Sequence, residues 1–393
     1  MDLTVDQARE EILASLPRGN QERLPLDQTL GRVLSEDIVS DTDWPAFDQS
    51  AMDGYAIAQG ERTQNSFEVV GESAAGNPFG NALESGQCVR IFTGAAVPPG
   101  ATGVVMQEHA QIDGKTVLVE ATEVGSHIRK RGENLSRGEI VLQAGTRIGA
   151  AEIGLLASMR RASLNVFVRP RVLIISTGDE LQYVDAPALP HKIANSNAHM
   201  LAACARAVGA EAQIGPIVED NAERINAAFR EAVDSYDMVI SSGGVSVGDH
   251  DHVKGALTSV GDVNFWKVQI KPGKPLAFGL ATNGTPLFGL PGNPVSAYVC
   301  FQVFVRPALE QIQGLGAQEL VGQARCTSKI KSPSREHYVP GRVRSVDGSL
   351  EFEVTGSISS ADVTSFRGVN ALAKIPAEVR VVEVGETVRF LFV

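Results

Sequence analysis

The sequence predicts a multidomain α/β protein, with a parallel sheet at its centre and β-rich segments on either side in the chain. Three observations carry this. Between Arg171 and Leu290, continuous apolar runs alternate with amphipathic helical stretches, which implies a parallel sheet covered on both faces. Three glycine-rich turns, TGDE, SSGGVSVGDHD and GLPGNP, fall at the ends of such runs. Short alternating apolar runs broken by Gly, Pro and Asn occupy roughly 67–146 and again 317–393, the texture of β-rich modules.

Taken in order, Thr4 to Leu16 reads as a short amphipathic helix with Val5, Ala8, Ile12 and Leu16 on one face. FEVV, QCVRIF, GVVMQE and KTVLVE follow as strands, and helix returns at Ala150 to Met159. RVLIIS, EAQIGPIV, DMVISS, PLAFGL and PLFGL are the strands of the central sheet. The helices between and after them are Asn197–Val208, Asn221–Val233, His252–Ser259 and Asn293–Ile312. Alternation in Ala371 to Ile375 and the closing ETVRFLFV mark the terminal β segment. Neither an internal repeat nor a low-complexity segment is evident.

Composition bounds the function. The chain has 393 residues, 43% of them hydrophobic, enough for two to four domains with real cores. The formal net charge of -11 is spread along the chain and reads as solubility. No broad basic stripe appears, so no nucleic-acid partner is expected. The dense basic cluster, Arg129, Lys130 and Arg131 followed by Arg137, suits a small anion better than a polymer. The four cysteines (Cys88, Cys204, Cys300 and Cys326) are widely spaced and form no CxxC, which argues against zinc and against a disulfide framework. The N-terminus lacks the pattern of a signal peptide, and no apolar run reaches membrane-span length, so a cytoplasmic setting and no membrane partner are expected.

The turns carry the chemistry. Gly243 and Gly244 would let the chain turn tightly and present N–H groups to an anion. Asp249 and Asp251 beyond them could hold Mg²⁺ or orient water, although Asp249 could equally cap the next helix. His250 and His252 come together only on a strand, and no third ligand is evident. In WKVQIKPGKP, Lys267 and Lys271 project on the same side of an extended segment, and with Lys274 they suit a phosphate or oxyanion. PGNP (Pro291 to Pro294) opens a helix with Asn293 as cap and Pro294 in the first turn, leaving N–H groups for an anion. Asp179 or Glu180 in TGDEL could ligate metal or simply cap a turn, and Asp220 is a further strand-end carboxylate. DQSAMDGYA, with Asp48 and Asp53, and FTGAAVPPGATGVVMQE, with Thr93 and Glu108, read as polar, close-packed loops. Together these features suggest an enzyme acting on a nucleotide or phosphorylated cofactor.

DQSAMDGYA, IFTGAAVPPGATGVVMQE, RKRGENLSRGE, STGDEL, SSGGVSVGDHD, KPGKP and GLPGNPVSA stand in that order and span essentially the whole chain. This series resembles the molybdopterin molybdenumtransferase (MoeA) family, to which the C-terminal domain of gephyrin is similar. The resemblance implies an elongated homodimer. Each chain would have a discontinuous domain (1–40 and 136–168), a β-rich insert (41–135), a molybdopterin-binding α/β domain (169–316) and a C-terminal β-barrel (317–393). It places the active site between the α/β domain of one subunit and the insert of the other. The implied reaction consumes molybdate and adenylylated molybdopterin, releases AMP and uses Mg²⁺. Carried over residue by residue, the resemblance assigns catalysis to Asp53, Asp220, Asp251, Lys267 and Lys271. It assigns substrate binding to Thr93, Arg129, Arg131, Gly243, Gly244, Ser246, Lys274, Pro291 and Asn293. The metal would rest on Glu180 and Asp251. Other proteins of cofactor biosynthesis are implied partners. The sequence departs from the family at Asn134, where an acidic residue is usual.

Overall fold

In strand Arg171–Thr177, successive apolar side chains serve two different cores. Val172 and Ile174 join one buried cluster, whereas Leu173 and Ile175 join another. Met238 and Ile240 against Val239, and Phe288 against Leu287, divide in the same way. The period-2 geometry of a strand turns a continuous apolar run into two faces that both need cover. The structure, a computed structural model, describes residues 2–60, 65–119, 125–244, 252–265, 267–316 and 320–393.

The chain divides into two compact units, residues 37–143 and the remainder. The larger unit contains a six-stranded sheet in the order Glu211–Val218, Arg171–Thr177, Met238–Ser242, Pro286–Leu290, Ala277–Ala281 and Gly261–Phe265. The first four strands are parallel, as the alternation with helices predicts. Ala277–Ala281 runs antiparallel to both of its neighbours, Pro286–Leu290 and Gly261–Phe265, which corrects the expectation of a parallel PLAFGL–PLFGL pair. The physical reason is the connection: residues 282–285 suffice for a hairpin, whereas a parallel pair needs a crossover of about a dozen residues. Phe278 and Phe288 stack across this hairpin with ring centroids 5.0 Å apart.

Helices cover both faces. Ala222–Ser235 starts at Asn221, whose carboxamide oxygen accepts the Glu223 and Arg224 N–H groups, and it buries Ile225, Phe229 and Ala232. With His252–Val260 it covers the Leu173/Val239 face. On the opposite face lie Val5–Ser15, Ser196–Ala207 and the long helical run 294–312. Thr4 and Gln7 form a capping box at the first of these. Ser196–Ala207 buries Ala198, Ala202 and Ala205, and such small side chains let a helix lie close on a sheet. Gln21–Pro25 pairs with Ser163–Phe167 as a separate antiparallel ribbon.

The terminal segment forms a closed five-stranded barrel. Glu336–Val346, Ser349–Val354, Val321–Cys326, Thr387–Phe392 and Ala371–Ile375 pair in turn, and the last returns to the first. Val339, Val343, Phe352, Ala373 and Phe390 fill it. Tyr338, Leu372 and Leu391 instead join the core of the α/β sheet, so the barrel's outer wall is seated on that layer. A short parallel pairing, Ile270 with Glu336 and Lys271 with His337, ties the KPGKP segment to the barrel edge.

The unit 37–143 is built on a second six-stranded sheet, ordered Gly103–Met106, Gly54–Ile57, Gln87–Ile91, Ser66–Ser73, Thr116–Val119 and Ala110–Asp113. Tyr55, Ile57 and Cys88 pack on one face, and Ala56, Val89 and Ile91 on the other.

Candidate active site

The chain leaves strand Arg171–Thr177 for a neighbour on one side and later returns to a neighbour on the other. That reversal makes the C-terminal ends of Arg171–Thr177 and Met238–Ser242 a switch point, where open α/β sheets bind ligands. A cleft of about 1160 Å³ opens there, lined by Thr177, Glu180, Asn197, Ser242, Gly243, Lys271, Lys274, Pro291 and Asn293 from the α/β layer. Arg335, His337 and the loop Ser357–Val363 line it from the barrel.

Glycines set its floor. Gly243 (φ 96°) and Gly244 (φ 66°) adopt the left-handed conformation that favours glycine. A Cβ at Gly243 would lie 2.7 Å from the Thr177 carbonyl oxygen, and one at Gly244 would lie 2.5 Å from Val253 Cγ2. Gly243 N–H donates to the Leu290 carbonyl at 3.1 Å, locking the two turns together. Asn197 Nδ2 donates to Ser242 Oγ at 2.9 Å and to the Gly292 carbonyl at 2.7 Å. Among the described residues, Asn197 Oδ1, Thr177 Oγ1 and His337 Nδ1 are buried polar atoms without a hydrogen-bond partner. Such atoms are rare in folded proteins; others, such as Trp44 Nε1 and Ser332 Oγ, lie elsewhere, but these three belong to side chains lining one cleft.

The cationic wall comes from Lys271, Lys274 and Arg335. Lys274 Nζ lies 3.0 Å from Asp2 Oδ2, and the hydrogen bond from this lysine holds the Asp2 carboxyl below its ordinary range. His337 is 1% exposed, and burial, reinforced by the Lys271 and Arg335 charges, pushes its pKa down to about 4. The imidazole is therefore neutral at pH 7. Glu180 brings the carboxylate to this wall, folded back so that a Cβ at Gly178 would lie 2.5 Å from its Oε2.

The structure gathers Glu180, Gly243, Lys271, Lys274, Pro291 and Asn293 into the cleft, with Gly244 beside them. It does not bring Lys267 there. Val268 N–H donates to Lys274 O and Ile270 N–H to Val268 O, a tight turn that breaks the extended geometry expected from 267 to 271. Asp220 is likewise outside the cleft lining; its N–H donates to Asp179 Oδ1 at 3.1 Å, so Asp179 caps a turn. Asn293 precedes the helix as expected, but its side chain does not cap it. Its amide donates to Ser360 Oγ at 3.1 Å, and the Val295 N–H donates to the Ser360 carbonyl at 3.0 Å. The helix start is thus partly satisfied by the barrel loop rather than held open for an anion. Ser246, Asp249, His250 and Asp251 lie outside the described residues. Among the described residues, no group of three or more His, Cys, Asp or Glu side chains could hold a metal.

Asp53, Thr93, Arg129 and Arg131 belong to the unit 37–143. Asp53 Oδ1 accepts from Thr93 N and from Thr93 Oγ1, both at 2.7 Å, and the backbone bond is the chief reason the carboxyl is held below its ordinary range. Arg90 lies over the Tyr55 and Phe92 rings, 5.2 and 5.0 Å from their centroids. Much of the basic cluster is already engaged. Lys130 Nζ lies 2.8 Å from Asp48 Oδ2, and Arg131 Nε lies 2.7 Å from Asp43 Oδ2. Arg129 is exposed, on the short strand paired with Gln49–Ser50. Asn134 is exposed, its N–H donating to the Trp44 carbonyl at 3.0 Å.

The sequence reading missed Arg335, His337, Asn197 and the Ser357–Val363 loop. PSREHYVP carries no recognisable motif, and its place in the cleft arises only through the strand pairing with Ile270–Lys271.

Fold and cleft define a class: an α/β protein with a cationic, glycine-floored crevice at the strand ends, completed by a β-barrel. Family models agree along the chain. Residues 3–159 match the MoeA N-terminal region (domain I and II), 173–311 a probable molybdopterin binding domain, and 323–393 the MoeA C-terminal region (domain IV). The molybdopterin molybdenumtransferase of Bacillus subtilis is 35% identical over 100% of this chain and 94% of its own length. That of Nostoc sp. is 39% identical over 88% of this chain and 83% of its own. A molybdopterin biosynthesis MoeA protein from Pyrococcus horikosii superposes with a TM-score of 0.86 at 28% identity, covering 100% of this chain and 99% of that one. The chain belongs to the MoeA family of molybdopterin molybdenumtransferases.

Proposed function

We propose that this protein transfers molybdenum from molybdate to adenylylated molybdopterin with release of AMP, a step of molybdenum cofactor biosynthesis. The observation that carries the reading is the strand-end cleft, in which Lys271, Lys274 and Arg335 face a glycine turn and the Glu180 carboxylate. Its substrates, a phosphoanhydride and a tetrahedral dianion, both call for fixed positive charge and backbone N–H groups. Lys271 and Arg335 would offset charge that builds on the departing AMP phosphate, and rigid placement makes such charge effective in the transition state. The Gly243–Gly244 turn would let the phosphates approach the backbone closely.

Mg²⁺ fits this donor set in the way that it usually binds beside phosphates, through one or two carboxylates with the rest of its shell from water and substrate. Glu180 in the cleft and Asp251 are the carboxylates that would hold it, and it would supply charge neutralisation at the phosphoanhydride. The dithiolene sulfurs belong to the substrate, so no protein thiol is required. Burial pushes the Cys204 thiol up to about 11 and that of Cys88 to about 12, consistent with structural roles. Asp53, Thr93 and Arg129 would complete the site across a homodimer, contributed by the second subunit. No helix among the described residues is long and apolar enough to cross a membrane, and a cytoplasmic location suits a supply of nucleotide-activated substrate.

The test is AMP release from adenylylated molybdopterin, with and without molybdate and Mg²⁺, in wild type, Lys271→Met and Asp251→Ala. Release that needs both additions and collapses in the variants is the expected result. Consumption of ATP in its place would assign adenylyl transfer, and peptide binding without turnover would assign a scaffold role.

A further inference from the structure

Asp362 is not among the residues lining the cleft, yet its carboxylate accepts four hydrogen bonds. Oδ2 accepts from Ser357 N–H at 3.2 Å and Ser357 Oγ–H at 2.5 Å. Oδ1 accepts from Thr364 N–H at 2.9 Å and Thr364 Oγ–H at 2.7 Å. The two ends of the loop Ser357–Val363 are thereby tied to one side chain.

The loop's own backbone adds to the knot. Ser365 N–H donates to the Asp362 carbonyl at 3.1 Å, and Ser365 Oγ–H to the Ser357 carbonyl at 2.8 Å. Its apex reaches the α/β layer, where the Ser360 carbonyl accepts the Val295 N–H and Ser360 Oγ accepts the Asn293 amide. Behind it, Phe366 packs on Tyr298 with ring centroids 5.2 Å apart. Between these anchors, Ser357, Ile358, Ser359, Ser360, Ala361 and Val363 all line the cleft. A seven-residue loop in water would sample many conformations, and holding one of them in advance lowers the cost of binding.

We propose that Asp362 is a positioning residue, fixing the Ser357–Val363 loop against the PGNP turn and so setting the affinity of the cleft for its anionic ligand. This rests on the functional reading above. It adds that the barrel's part in binding depends on a carboxylate that itself bears the wrong charge to touch an anion. Four donors hold it as the anion, with the Ser357 hydroxyl the foremost in keeping its pKa far below the ordinary carboxyl value.

The test compares wild type with Asp362→Asn, which keeps the shape but turns one acceptor into a donor facing N–H and O–H groups. Molybdate alone is titrated calorimetrically, and steady-state turnover of adenylylated molybdopterin is measured in parallel. Expected are a molybdate Kd and a substrate KM raised roughly tenfold, the effect of about one charged hydrogen bond, with kcat within about threefold of wild type. Should Asp362→Asn fail to fold, the Ser357→Ala/Thr364→Val double variant removes only the two hydroxyl donors and is expected to shift Kd in the same direction by a smaller factor. Unchanged Kd and KM in a folded variant would overturn the proposal, as would a fall in kcat with KM intact. Wild-type turnover is scored separately: its absence overturns the functional reading, while the molybdate titration still decides the role of Asp362.

Discussion

Lys271 and His337 face each other across a parallel strand pair, so that a loop of the α/β layer and the edge of the barrel meet as a cation beside a buried imidazole. Burial, followed by the Lys271 and Arg335 charges, lowers the His337 pKa from 6.5 to about 4. The unfolded chain therefore binds a proton on this histidine between about pH 6.5 and pH 4 while the folded chain does not. Stability that is fully present above about pH 6.5 must fall as pH drops through this window.

From this follows the first prediction. Acidification from pH 7 to pH 4.5 costs wild type on the order of 2 kcal/mol at this site, and His337→Gln, which cannot take the proton, loses correspondingly less. The readout is the difference in Tm between the two pH values for each protein, followed by near-UV dichroism to report tertiary structure. Lys271→Met tests the charge contribution: it is expected to raise the His337 pKa, read from the imidazole proton resonances. Equal pH sensitivity in wild type and His337→Gln would show that other groups dominate acid unfolding.

The second prediction concerns Gly273, in the middle of KPGKP, at φ 106° with a Cβ position 2.3 Å from Cys300 Sγ. Two obstacles meet any side chain there, the left-handed backbone and the thiol packed behind it. Gly273→Ala is expected to cost about 2 kcal/mol or more in stability and to lower kcat/KM by displacing Lys271 and Lys274 on either side. Cys300→Ala removes the thiol but not the backbone strain, so the double variant should recover part of the stability and little of the turnover. Full recovery in the double variant would mean that contact alone, and not the φ requirement, makes glycine necessary.

How much of this was legible in the sequence depends on whether the signal is local. The turns at Thr177–Glu180, Ser242–Gly244 and Leu290–Asn293 announce themselves because a parallel strand must end in a loop, and glycine marks where that loop comes close to a neighbour. Strand direction in 277–290 is hidden because doubly buried strands show no alternation; the brevity of residues 282–285 is the one local sign of the antiparallel pairing. An extended chain would set Lys267 beside Lys271, but the turn at Val268–Ile270 breaks that geometry. Asn293 sits where a capping residue belongs, yet its partner is Ser360, a residue of another domain that local propensity cannot reveal. His337 and Arg335 have no signature at all. Their significance is created by the pairing of two segments far apart in sequence, and only tertiary structure supplies it.

A third prediction separates a contribution of the unit 37–143 to the site from mere scaffolding. Asp53 and Thr93 are exposed, and their two 2.7 Å hydrogen bonds stabilise no core. A pair so placed can be altered with little effect on folding, so any large change in turnover must reflect the site itself. Thr93→Ser keeps both donors and is expected to remain near wild type. Thr93→Val keeps the backbone donor alone and should lower kcat/KM roughly tenfold, in line with the loss of one hydrogen bond to a charged group. Asp53→Asn presents an amide to the same two donors and should fall further, with Tm within about 2 °C of wild type because exposed substitutions rarely exceed a few tenths of a kcal/mol. The measurement is kcat/KM for AMP release alongside thermal unfolding for all three variants. A graded loss of turnover at constant Tm would place the Asp53 carboxylate in the reacting complex. Wild-type turnover in Asp53→Asn would confine the unit 37–143 to a structural part and leave the strand-end cleft to carry the chemistry by itself.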